Sequence, residues 1–307
     1  MPFVKTPNLN VHYEQAGAGK DTLLLIHGNF ASWRWWKQTI DRLPPNFLAY
    51  APDLRGCGDT DKPSNGYTIE QLSDDLYGFV KALNLPSFHL VGHSLGGAVV
   101  LQFALDHLDQ IRTLTLVAPA PANGMSLLSN KMNDFPLLEH LFEDFQRERI
   151  LLRIETLNQF LRSTGANRSI LRRALMKMAP SLDDDEAFDA LVDDACRMAP
   201  EALIGFLQAL DRWSVEKDLW KLRLPVLILL GSQDILISKS ALKRTVKGLP
   251  HANLMLWKDV GHSPQLEQPD RFVQLLRGFI NRGYARPSII SSVKKRVLNF
   301  FQEGKLS

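Results

Sequence analysis

Phe88-His89-Leu90-Val91-Gly92-His93-Ser94-Leu95-Gly96-Gly97 decides the reading of this chain. The apolar run Phe88 to Val91 ends in Gly92-His93-Ser94-Leu95-Gly96, and a helix-like stretch from Ala98 to His107 follows. A serine between a strand and a helix sits on a turn so sharp that small residues must flank it. Such a turn lifts the hydroxyl clear of the sheet. Alone, G-x-S-x-G is a common string. With a strand before it and a helix after it, the pattern is a nucleophile elbow, and Ser94 is the candidate nucleophile.

A serine hydroxyl is a poor nucleophile at neutral pH. It needs a base within hydrogen-bond reach and a third group to orient that base. Downstream, Pro225 to Leu230 reads as a buried parallel strand that ends in Gly231-Ser232-Gln233-Asp234. Asn253 to Trp257 reads as the last strand, followed by Gly261-His262-Ser263-Pro264. Asp234 and His262 thus both fall on loops after strands, and in an open parallel sheet those loops gather at the carboxyl edge, where ligands bind. Each alone has an ordinary reading as a turn aspartate or a loop histidine. Together, in the order Ser94, Asp234, His262, they form a candidate catalytic triad. His93 is the variable residue of the elbow and His89 is packed in its strand. His12, His107, His140 and His251 lie outside any such context.

A further strand, Thr22 to Ile26, leads into His27-Gly28-Asn29-Phe30. A turn of this kind offers a backbone N–H to a developing oxyanion, and the residue after the nucleophile offers a second. By position these donors are Asn29 and Leu95. Phe30, beside the turn, is the candidate for the substrate pocket. Trp33, Trp35 and Trp36 follow, and core packing is the expected role for them.

On these segments the chain resembles the α/β-hydrolase superfamily, of the single-chain type with a helical cap. The resemblance rests on His27-Gly28-Asn29, Asp53-Leu54-Arg55-Gly56-Cys57-Gly58, Gly92 to Gly97, Gly231 to Asp234 and Gly261-His262, and extends from about residue 3 to 282. It implies an α/β fold, a mostly parallel sheet flanked by helices, with an inserted all-helical cap. The Asp53 to Gly58 stretch resembles the family's structural loop after the fourth strand. His27-Gly28-Asn29 also resembles the haloalkane dehalogenases, whose nucleophile is an aspartate. Ser94 makes an acyl-enzyme, which disfavours dehalogenation and the epoxide hydrolase route. The same turn with a serine elbow is similar to certain acyl-homoserine lactone hydrolases. The implied activity is serine hydrolysis of a carboxylic ester or lactone. A C–C bond hydrolase or thioesterase with the same triad stays open, as does a receptor-like protein with little turnover.

The 307 residues divide into a core of 1–120 with 216–284, a helical cap of 121–215 and an extension of 285–307. Strand-like runs alternate with the amphipathic stretch Tyr67 to Leu83, a pattern of parallel sheets covered by helices. From about Asn123 to Val215 only helical periodicity remains. Leu127, Leu128, Phe135, Leu137, Leu138, Leu141, Phe142 and Phe145 make part of it densely apolar, and Asp183-Asp184-Asp185-Glu186 reads as a helix start. Hydrophobic residues make up 45% of the chain, enough for a large core, and no low-complexity tract interrupts it. Two cysteines, Cys57 and Cys196, have neither disulfide-framework nor metal-ligand spacing. No metal cluster, P-loop or dinucleotide fingerprint is evident, so no metal and no cofactor is expected. The expected partner is a small-molecule substrate. The N-terminus lacks a signal-peptide pattern and no apolar run is long enough to span a membrane, so the expected location is cytoplasmic. Arg286, Lys294, Lys295, Arg296 and Lys305 against Glu303 put the positive charge in the extension. The near-neutral body argues against nucleic acid. The extension itself can dock on the body, serve self-association, or lie on an anionic membrane surface.

Overall fold

The computed structural model describes residues 2–125, 156, 159, 167–183, 185–237 and 239–283. Its strands are β1 (Phe3–Lys5), β2 (Asn10–Gly17), β3 (Asp21–Ile26), β4 (Phe47–Pro52), β5 (Phe88–His93), β6 (Ile111–Val117), β7 (Val226–Gly231) and β8 (Ala252–Trp257). They form one sheet in the order β1-β2-β4-β3-β5-β6-β7-β8. β2 runs antiparallel to β1 and β4, and every pairing from β4 to β8 is parallel. Parallel strands covered on both faces read as near-continuous apolar runs. β5 and β7 fit that rule, each buried along its whole length.

The chain passes from β3 to β4 on one side and then returns to place β5 on the other side of β3. This reversal opens a crevice at the carboxyl ends of β3 and β5, the place where open α/β sheets bind ligands. The register sets Ile26 beside Gly92, His93 beside Val117, Val117 beside Leu229 and Gly231 beside Trp257. The loops carrying residues 29, 94, 234 and 262 therefore leave the sheet along one edge.

α1 (Lys37–Ile40) continues a 3-10 turn over Trp33–Trp36, whose three tryptophans are buried. α2 (Ile69–Ala82) starts where Thr68 accepts the Gln71 N–H, and it buries Ile69, Leu72, Leu76, Phe79 and Val80 on one face. α3 (Leu95–Asp106) is different in kind. Nine of its twelve residues are buried, because it runs through the core behind the elbow and so has almost no polar face.

Between β6 and β7 the described residues form helices and no strand: α4 (Asn167–Met178), α5 (Glu186–Arg197) and α6 (Pro200–Arg212). Asp185 caps α5 by accepting the Phe188 N–H, so a helix does start at the end of the acidic run, at Glu186. Phe188, Leu191, Val192 and Ala195 of α5 pack with Leu175 of α4 against Ala31, Trp35 and Leu266 of the sheet domain. The apolar stretch Leu127 to Phe145 and the extension 285–307 lie outside the described residues. After β7 come α7 (Lys239–Gly248), the single turn α8 (Pro264–Glu267) and α9 (Pro269–Gly283). Among the described residues no helix is long and apolar enough to cross a membrane.

Candidate active site

Ser94 stands at the N-cap of α3 with φ 54° and ψ −117°, a backbone conformation that costs a non-glycine residue of order 1–3 kcal/mol. The surroundings impose it. The Ser94 N–H donates to Val117 O at 3.0 Å, and its carbonyl accepts from Gly97 N at 2.9 Å and Ala120 N at 3.0 Å. A Cβ on Gly96 would lie 2.4 Å from His27 O and 2.6 Å from Ile26 O, so only glycine lets α3 start against the end of β3. A serine at an N-cap ordinarily turns its hydroxyl back onto the helix. Ser94 does not: its Oγ makes no capping bond to α3.

His262 is fully buried, and its Nδ1–H donates to Asp234 Oδ2 at 2.8 Å. The other Asp234 oxygen accepts the N–H groups of Leu236 at 2.8 Å and Ile237 at 2.9 Å. The carboxylate is thus held by both oxygens, and the imidazole tautomer follows: the proton sits on Nδ1 and the lone pair on Nε2. That Nε2 is buried and has no hydrogen-bond partner among the described residues. A base with its far nitrogen fixed and its near nitrogen free is the arrangement a serine needs.

Gly28 brings the turn after β3 onto the elbow, since a Cβ there would lie 2.9 Å from Ser94 Cβ. His27 fixes this turn. Its Nδ1–H donates to Gly28 O at 2.8 Å and its Nε2 accepts the Leu54 N–H at 2.9 Å. Asn29 turns its side-chain oxygen to the Phe30 N–H at 2.9 Å, and Phe30 takes φ 57°. The Asn29 amide oxygen is committed to that backbone, while its own N–H enters no hydrogen bond among the described residues. Leu95 N–H belongs to the first turn of α3, where no helical carbonyl precedes it and where the helix dipole favours negative charge. Phe30 is half-buried between the main core and the α4–α5 cluster.

Two participants escape sequence reasoning. His93 is buried, stacks on Trp35 with ring centroids 5.3 Å apart, and donates from Nε2 to His262 O at 2.9 Å. Glu267, at the end of α8, accepts the N–H groups of Gly261 at 2.9 Å and Ser263 at 3.3 Å. A signal for Glu267 exists in Ser263-Pro264-Gln265-Leu266-Glu267, a helix start followed by an acid able to reach back to free N–H groups. For His93 no such signal exists, since Phe88–His93 already carries a second buried ring, His89.

Burial holds three histidines neutral. It lowers His27, pushes His89 down to about 4, and, with the neighbouring His262, carries His93 well below its ordinary value of 6.5. Below pH 6.5 the unfolded chain binds protons at these sites that the native chain refuses, so stability falls as pH falls. Each histidine adds a slope of up to about 1.4 kcal/mol per pH unit. The thermal midpoint is expected to drop by roughly 5 °C or more between pH 7 and pH 5, read by calorimetry. An unchanged midpoint over that range contradicts the neutral assignment.

Charge also joins the inserted helices to the loop after β3. Asp194 of α5 is 1% exposed; it accepts from Ser32 Oγ and Arg197, and from Arg34 at 2.9 Å. Burial alone would raise its carboxyl, but the hydrogen bonds from Ser32, Arg197 and Arg34 outweigh burial and hold it below the usual aspartate value. His12, Asp53 and Asp59 bring potential ligand atoms within 4.8 Å of one another. Each is already engaged: Asp53 with His12, Trp33 N and Asp59 N, and Asp59 with Arg197. This set ties down the loop after β4. Cys57, buried in the same loop, has its thiol pushed up by burial, away from the thiolate form. A cleft of about 480 Å³ opens between the Ser64–Thr68 loop and α6, and Ser94, Asp234 and His262 are not among its walls.

The alpha/beta hydrolase fold model matches residues 21–269. A soluble epoxide hydrolase from Corynebacterium sp. (strain C12) is 36% identical over 111 residues, which is 36% of this chain and 38% of that protein. The chain thus spans well under half the length of this relative. Two others align over most of their length. A 2-hydroxy-6-oxononadienedioate/2-hydroxy-6-oxononatrienedioate hydrolase from Paraburkholderia phymatum is 25% identical, covering 89% of this chain and 92% of its own. A pimeloyl-acyl-carrier-protein methyl ester esterase from Vibrio vulnificus is 26% identical, covering 89% and 99%. Among solved structures, an esterase from Exiguobacterium antarcticum superposes with a TM-score of 0.76 at 17% identity, covering 91% of this chain and 98% of that one.

Proposed function

Because this chain belongs to the α/β-hydrolase fold family, we propose that it is a serine hydrolase cleaving a carboxylic ester or lactone of a small, largely apolar substrate. The observation that carries this reading is a buried His262 whose ring is fixed by Asp234 and whose Nε2 has no hydrogen-bond partner among the described residues, on the same sheet edge as Ser94, whose hydroxyl does not cap its helix. His262 takes the Ser94 proton as Oγ attacks the carbonyl carbon. Asp234 holds the tautomer and stabilises the imidazolium that forms. The N–H groups of Asn29 and Leu95 receive the tetrahedral oxyanion, and each such donor is worth roughly 3–4 kcal/mol in the transition state. His262 then protonates the leaving alcohol, and water releases the acid by the same route in reverse. No cofactor enters any step. The inserted helices act as a cap, with Phe30 on the pocket wall between them and the sheet domain.

A second reading, hydrolysis of a C–C bond next to a carbonyl, is favoured by the near full-length alignment with the dienedioate hydrolase. It uses the same nucleophile, base and oxyanion donors and differs in the pocket. Pre-steady-state hydrolysis of p-nitrophenyl esters of graded chain length separates the two. A stoichiometric burst followed by turnover, with an acyl adduct mapped to Ser94 by mass spectrometry, is the expected result, and the chain-length optimum sizes the pocket. No burst and no adduct with any ester, from folded protein, moves the assignment to the C–C reading or to a binding role.

A further inference from the structure

The loop that carries His262 is held from the inserted helices as much as from the sheet. The His262 N–H donates to Met178 O, at the end of α4, at 2.6 Å. Its carbonyl accepts from His93 on the elbow. The N–H groups on either side of it, Gly261 and Ser263, both donate to Glu267. The same carboxylate reaches past the loop: its Oε2 accepts from Ser181 Oγ at 2.6 Å and from Ser181 N at 3.4 Å, three residues beyond α4. Gly261 packs so tightly here that a Cβ would meet Met178 O at 2.4 Å and Pro180 Cδ at 2.6 Å.

We propose that Glu267 is a positioning residue for His262. It clasps the base loop to the Met178–Ser181 end of the inserted helices, so that the base is correctly placed only when that segment is seated. One carboxylate spans both sides of the clasp. Gly261 and Ser263 donate to it from the base loop, and Ser181 donates from the insertion. Alanine in its place removes every acceptor of the clasp, whereas an amide keeps part of it, because the Ser181 hydroxyl can accept from an NH₂ as well as donate. With alanine the base ring keeps Asp234, and its backbone keeps Met178 O and His93, but the residues on either side of it lose their anchor. A displacement of about 1 Å at a catalytic group costs on the order of 100-fold in rate. The inference rests on the serine-hydrolase reading, because it assigns Glu267 a role through His262.

The test uses the full chain and a fluorophosphonate that reacts with an activated serine, following the limiting labelling rate and the half-saturating concentration separately. Glu267→Ala is expected to lower the limiting rate by roughly 10- to 100-fold with half-saturation little changed. Ser181→Ala, at an exposed position where the fold is safe, is expected to lower the same rate by a few-fold. The double variant is expected to match Glu267→Ala alone, since both substitutions open one clasp. Full-rate labelling in folded Glu267→Ala, or strictly multiplicative effects in the double variant, overturns the proposal. If Glu267→Ala does not fold, Ser181→Ala decides alone: unchanged labelling overturns the clasp, and a loss in the limiting rate supports it. Wild-type protein that resists the probe at Ser94 is a separate result. It removes the serine-hydrolase reading, and this role for Glu267 with it.

Discussion

Ser94→Ala is expected to lower ester turnover by roughly 10⁴- to 10⁶-fold, the scale seen when a serine nucleophile is removed from a triad. The thermal midpoint is expected to stay within about 2 °C of wild type. Both halves follow from the elbow. Alanine keeps the Cβ, so the backbone at φ 54° is neither relieved nor strained further. The hydroxyl caps nothing, so its loss breaks no hydrogen bond that supports α3. Turnover by steady-state kinetics and stability by calorimetry are measured on the same preparation. A variant that retains even a tenth of the wild-type rate excludes Ser94 as the nucleophile.

Asp234→Asn is expected to lower kcat by about 10⁴-fold through a wrong tautomer rather than a lost fold. The asparagine carbonyl can keep the Leu236 and Ile237 N–H bonds that Oδ1 makes now. What remains facing His262 Nδ1 is an NH₂ group, a donor, which requires a lone pair on Nδ1. The proton then moves to Nε2, the nitrogen that must accept from Ser94. KM is expected to change little, because Asp234 is shielded from substrate behind the imidazole. A loss below tenfold at neutral pH shows that another group orients the base.

Much of the architecture was legible because this fold writes its strands as uninterrupted apolar runs. Val226–Gly231 and Phe88–His93 are buried on both faces and have no polar alternation to confuse them. The loops after those strands then needed only chain order to converge. Boundaries moved by a residue or two where caps decide them; α2 starts at Ile69 because Thr68 takes the cap. Other features were illegible for a physical reason. Glu267 and Ser181 are 86 residues apart and meet only through tertiary packing. His93 reads as a variable position because its task, holding a backbone carbonyl of residue 262, leaves no local pattern. The Trp33–Trp36 turn was expected inside the core and is there, yet Trp35 also supplies the face on which His93 lies.

The placement of the insertion has a consequence for synthesis on the ribosome. β6 lies between β5 and β7 in the finished sheet, yet more than 100 residues separate its end at Val117 from Val226 of β7. At about 5–20 residues per second, β6 waits roughly 5–20 s before its second neighbour is made. Throughout that interval the nascent sheet presents an apolar strand with an open edge, which is a template for pairing with other chains. Crowded translation and low chaperone supply are therefore expected to penalise yield of this protein at that stage, well before its folded stability has any bearing on the outcome.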